Sequence, residues 1–97
     1  MEFEFDAELW RWPGDAAWHF VSMPEALAND IRDRVAGTTR GFGSVKVRVQ
    51  VGHTRWDTSL FPDSKTGTYV LPMKKLVRER EGLDVGDVVR VHLALDA

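Results

Sequence analysis

Val45, Val47, Val49 and Val51 alternate with Lys46, Arg48 and Gln50, and the run stops at Gly52-His53 before an extended pattern resumes through Trp56. Strict alternation puts the valines on one face and the polar residues on the other, which makes the segment a strand buried on one side. A glycine at the first of two loop positions suits a type II′ turn, and a two-residue loop fixes the register of the hairpin. That register predicts Val49 opposite Trp56 and Val47 opposite Thr58 on the inward face, with Arg48 opposite Asp57 outside. A chain containing this hairpin has to supply other elements to cover the valine face.

The rest of the sequence offers them. Phe3, Phe5, Ala7 and Leu9 alternate with Glu2, Glu4, Asp6 and Glu8, the pattern of a second half-buried strand. After the Pro13-Gly14-Asp15 turn signal, residues 18–23 read as a strand rich in aromatic and β-branched residues. Pro24 then opens a helix that carries Leu27, Ile31 and Val35 on one stripe to about Ala36, before Gly37. Residues 62–67 form a polar loop and Thr68 to Leu71 a short strand. Pro72 begins a second helix with Met73, Leu76 and Val77 toward the core, ended by Gly82. After the Gly86-Asp87 turn, Val89, Val91, Leu93 and Leu95 alternate along a last strand. The expected core contains Trp56, Val47, Val49, Val91, Leu93, Phe20 and Leu76. Strand, proline, helix, glycine and strand occur twice, around Pro24 and Pro72. The expectation is one domain over residues 1–97, mainly β with two short helices (α+β), folded as a small pseudo-symmetric β-barrel.

With 43% hydrophobic residues and a net charge of −2, the chain has the balance of a folded globular domain and not of a disordered one. It lacks cysteine, which removes disulfides, thiolate metal sites and cysteine nucleophiles. No apolar run is long enough for a bilayer, and the N-terminal region is acidic and alternating where a signal peptide is basic and then apolar. The expected setting is the cytoplasm, without membrane contact.

Trp18, Val21 and Pro24, then Trp56, the Ser59-Leu60-Phe61-Pro62 run, Gly67 to Pro72, Lys75, Val77-Arg78 and Gly86-Asp87-Val88 together resemble a bacterial family of domains of unknown function, the one numbered nineteen-oh-five. The resemblance covers nearly the whole chain and implies a compact β-barrel with no assigned activity. Residues 70–89 also resemble the swapped-hairpin half of AbrB and MazE type regulators, dimeric DNA-binding barrels of double-split type. That likeness implies two such halves in one chain. The acidic first strand and the length depart from those regulators.

His19, His53 and His92 are not spaced as metal ligands, so no metal or other cofactor is expected. His53, Asp57 and Ser59 share one predicted strand, where His53 and Asp57 are about 14 Å apart at 3.4 Å per residue, too far for a catalytic triad. The carboxylates of the first strand form a solvated face that discourages edge pairing. No catalytic residue is assigned and catalysis is not expected. Two sets of residues remain as candidates for binding. Trp10 and Trp12 fall on the face opposite Phe3, Phe5 and Leu9, so with Trp18 they can wall an aromatic pocket at the barrel mouth or stack on a ring or base. The other set follows from charge: residues 1–36 carry a net −5 and residues 37–80 a net +6. On the hairpin register and the second helix, Arg40, Lys46, Arg55, Lys74, Lys75 and Arg78 are the outward, unpaired positive groups, with a Lys75 to Glu79 pair as the competing arrangement. The leading expectation is a non-catalytic binding module that holds an anionic partner on this basic set, nucleic acid included. The alternatives are a small-molecule or weakly enzymatic site at the aromatic pocket, and a structural interaction domain working as monomer or homodimer.

Overall fold

The computed structural model describes residues 1–14, 17–36 and 43–95. Seven strands and two helices follow in the order β1 (Glu2–Glu8), β2 (Trp10–Arg11), β3 (His19–Ser22), α1 (Glu25–Val35), β4 (Val45–Val51), β5 (Thr54–Asp63), β6 (Thr68–Pro72), α2 (Lys75–Glu81) and β7 (Val88–Leu95). The strands form one curled, barrel-like sheet in the order β1-β7-β4-β5-β6-β3-β2, with every neighbouring pair antiparallel.

Two stretches of chain produce the curl by changing partners. β5 pairs with β4 through residues 54–60 and with β6 through residues 61–63. At the other side β1 pairs with β7 and β2 with β3, although only Leu9 separates β1 from β2. Leu9 still donates its N–H to the Asp87 carbonyl at 2.9 Å and accepts from Gly86 N–H at 2.9 Å. Its side chain is completely buried at this crossing point.

The hairpin forms as its sequence predicts. Val51 faces Thr54 across a two-residue turn, Val49 faces Trp56, Val47 faces Thr58, and Arg48 faces Asp57. Gly52 has φ +58° and His53 does not have a positive φ, the combination of a type II′ turn. The Arg48 Nε to Asp57 Oδ1 distance is 3.6 Å, and both side chains are about three-quarters exposed. A double-mutant cycle on this pair is therefore expected to return no more than about 1 kcal/mol, because solvent screens exposed ions and both side chains lose freedom when paired. Urea unfolding of the two single variants and the double variant measures it; a larger coupling would mean the ions are shielded from water.

The core lies inside the curl. Val45, Val47, Val49 and Val51 meet Phe3, Phe5, Val89, Val91 and Leu93 from the neighbouring strands, with Ala28 and Ile31 of α1 and Val77 of α2 packed against the same cluster. Leu27 and Val35 are only partly buried, and Pro24 and Ala36 stand at the two ends of α1. Two expected core residues lie elsewhere. Phe20 is half-buried on the outer face, because Val21 takes the inward position on β3 and the alternation turns Phe20 and Ser22 outward. Leu76 is 51% exposed, because α2 starts at Lys75 and its seven residues bury only Val77. Trp56 is inward in register but half-buried, packed against the edge of the core.

Candidate functional site

Trp10 pairs with Phe20 across β2 and β3, so the two rings share the outer face, with centroids 5.1 Å apart. Trp12 joins them because its N–H donates to the Trp18 carbonyl at 2.8 Å, which continues the β2 to β3 ladder by one step. Its ring lies 6.2 Å from Trp10 and meets the Phe20 ring edge-on at 6.4 Å. Trp18 stacks on Phe20 at 6.1 Å with planes only 8° apart. Trp10 is anchored by its indole Nε1, which donates to Ser22 Oγ at 3.0 Å. Trp12 and Trp18 remain 42% and 54% exposed, so two indole surfaces are open to a ligand.

Apolar side chains and a cation stand beside the rings. In the strand rows beside the rings stand Pro72, opposite Phe20, and Phe61, opposite Val70. Phe61 is 44% exposed. Lys65, in the turn after β5, holds its ammonium 5.7 Å from the centre of the Trp12 ring, a cation and π contact. Asp63 fixes that turn by accepting from the Lys65 N–H and the Thr66 hydroxyl. The three tryptophans singled out in the sequence are thus brought together. Phe20 and Lys65 complete the group, and neither was part of the predicted set.

The basic residues do not gather in this way. Arg78 is half-buried, with Nε donating to the Met73 carbonyl at 3.0 Å and Nη1 3.5 Å from His19 Nε2. Lys75 Nζ lies 3.8 Å from Glu79 Oε1, the competing pair foreseen in the sequence. Arg55 donates to Gln50 Oε1 at 3.0 Å and Lys46 stands opposite Ser59, both on the outer face of the hairpin. Lys74 is exposed at the start of α2, and Arg40 lies outside the described residues. A shallow depression of about 460 Å³ over the outer face of β7, β4 and β5 includes Arg55 and no other member of the set. Its walls include Glu2, Arg48, Asp57 and His92, so its charge is mixed. Nearby on the same face, Arg90 pairs with both Glu4 and Asp6, and His92 Nδ1 lies 3.0 Å from Glu4 Oε2.

Among the described residues no group of three or more histidine, aspartate or glutamate side chains is arranged to hold a metal. No described helix is long and apolar enough to cross a membrane. His53 is an exposed turn residue just before β5, the strand that carries Asp57 and Ser59.

Fold and site define a mainly β, barrel-like domain with an aromatic cluster on its outer face. The chain belongs to the family described as Domain of unknown function (DUF1905), whose match spans residues 5–93. No curated protein gives a significant match to the sequence.

Proposed function

We propose that this is a non-catalytic binding domain that stacks a planar ring of an anionic partner against Trp12 and Trp18. The observation that carries the reading is the convergence of Trp10, Trp12, Trp18 and Phe20 on one outer face with the two terminal indoles still open. Contacts among the rings and the Trp10 bond to Ser22 place the platform before a ligand arrives, which lowers the ordering cost of binding. Lys65 at its rim supplies positive charge for a phosphate or carboxylate attached to the ring. A nucleotide, free or within a single strand, has both features. The basic set predicted from charge is a weaker support, because Arg78, Lys75 and Arg55 already have neighbours that occupy them.

The test uses quenching of tryptophan fluorescence by adenosine monophosphate and by a short single-stranded oligonucleotide, at low and moderate salt. Trp18→Ala is expected to remove about 1–3 kcal/mol of binding, the usual worth of one base on an aromatic ring. Its melting temperature should change little, since the ring is half in solvent. Lys65→Gln should weaken the oligonucleotide more than a neutral nucleoside and flatten the salt dependence. Absence of binding by either probe at low salt, or full binding by a folded Trp12→Ala, Trp18→Ala double variant, overturns the reading.

We also read the two halves as pseudo-symmetric, in the manner of a double-split, AbrB-like barrel. The support is in the pairing: β3-α1-β4 and β6-α2-β7 repeat one order, β3 lies antiparallel to β6, and β4 lies antiparallel to β7. The stretch from β1 to β2 and the strand β5 each divide their pairing between the two halves of the sheet, the one with β7 and β4 and the one with β6 and β3. An antiparallel pair formed by equivalent strands is what a two-fold axis through the sheet requires.

A further inference from the structure

The crossing at Leu9 leaves an opening beside it. β3 ends at Ser22 and the chain turns through Met23 and Pro24 into α1, while β1 takes its strand partner from β7. Between them is a shallow cavity of about 510 Å³, open to solvent, lined by Asp6, Glu8, Trp10, Ser22, Met23 and Pro24 together with Ala7. Its wall is mainly hydrocarbon and indole. Trp10 is fixed there by its bond to Ser22 Oγ, so the hydroxyl and the indole N–H are both engaged. The charges on the wall are two carboxylates, and no lysine, arginine or histidine lines it. Asp6 Oδ1 accepts from Arg90 Nη1 at 3.1 Å, whereas Glu8 is in no ion pair among the described residues.

From this geometry we infer that the cavity is a binding site for an alkylammonium group, a primary amine on a short apolar chain. The ammonium meets Glu8 and the field of the indole, and the methylenes lie against Trp10, Met23 and Pro24. A carboxylate or phosphate of the same size meets the unpaired negative charge of Glu8 instead, and a neutral alcohol forgoes the charge attraction. The same head group is presented by a free amine and by a lysine side chain of a partner polypeptide. This site is distinct from the ring platform, which uses the open surfaces of Trp12 and Trp18.

The experiment follows the indole N–H signal of Trp10 by nuclear magnetic resonance in the full chain, assigned by its loss in Trp10→Phe. If that variant does not fold, Ser22→Ala assigns the signal by removing its hydrogen-bond partner. The probes are n-butylammonium, butyrate, n-butanol and a blocked lysine amide. Butylammonium is expected to shift the Trp10 signal saturably, with butyrate and butanol at least about tenfold weaker. Glu8→Gln should weaken butylammonium by about fivefold or more, while Glu2→Gln, which lies outside this cavity, leaves it unchanged. Tighter binding of the lysine amide than of butylammonium assigns the site to a partner's lysine, and the reverse order assigns it to a free amine. The inference is overturned if no saturable shift occurs, if butanol matches butylammonium, or if folded Glu8→Gln binds butylammonium as the parent does. Failure of the nucleotide tests leaves these outcomes unaffected.

Discussion

Leu9→Ala is expected to destabilise the protein by about 2–5 kcal/mol, the cost of deleting a buried leucine and leaving a cavity that its surroundings fill only in part. The upper end is the expected one. Leu9 is fully buried where the chain passes from the β7 side of the sheet to the β3 side, and its N–H and its carbonyl are both tied, to Asp87 and Gly86. A segment tied in this way cannot slide inward to fill the space. Small domains have about 5–15 kcal/mol of stability in total, so the variant should approach its unfolding threshold. Urea denaturation with unchanged m-value would report the loss. Val88→Ala serves as the contrast: Val88 is 69% exposed on β7, and its replacement should move stability by less than about 0.5 kcal/mol. A Leu9→Ala protein as stable as the Val88→Ala protein would show that the crossing is not part of the core.

The features most legible in the sequence are those set by near neighbours in the chain. The hairpin at Gly52-His53 could be read to the residue because alternation marks its faces and the glycine sets the turn. The helix from Glu25 to Val35 could be read because Pro24 and the spacing of Leu27, Ile31 and Val35 are local signals, although Ala28 and Ile31 are its buried residues and Gly37, the expected cap, lies outside the described residues. Phe20 could not. From Trp18 to Met23 each face carries both kinds of residue, Trp18, Phe20 and Ser22 on one and His19, Val21 and Met23 on the other, so nothing in that stretch states which side is inward, and β6 decides it by pairing Leu71 with Val21. The partner change at Leu9 is marked in the sequence only by a shift of phase, apolar Trp10 following apolar Leu9, and the partners themselves lie on strands 10 and nearly 80 positions away. α2 is too short for its period to orient Leu76.

The same distinction separates the two candidate sites. Trp10 and Trp12 were legible as outward because strand alternation reaches them from Phe3 and Phe5. Their assembly with Phe20 and Lys65 was not, because it requires the turn after β5 to arrive beside β2. A signal was present in the composition of that turn: Asp63, Thr66 and Gly67 are the residues of a tight bend, which would present Lys65 at its tip. The basic set was counted by outward position alone. Position does not reveal that Arg78 folds back onto its own backbone at Met73 and toward His19.

Gly52→Ala is expected to have the second largest effect, about 1–3 kcal/mol of destabilisation, from two separate causes. The first is conformational: φ at this position is +58°, where an L side chain is strained. The second is a collision. A methyl group built on Gly52 would fall on the Glu81 carboxylate, which reaches over the turn from the end of α2. Glu81 Oε2 there accepts a 2.7 Å hydrogen bond from the hydroxyl of Thr54, a residue only 7% exposed. The glutamate can swing away, but in doing so it leaves that hydroxyl without its partner. A Glu81→Ala background separates the causes. If the collision matters, Gly52→Ala should cost less in a Glu81→Ala background than in the parent, because the carboxylate is already gone. The backbone share persists in either background. Equal costs in both, measured by urea unfolding, would assign the whole effect to the turn and leave the contact between α2 and the hairpin without a role in stability.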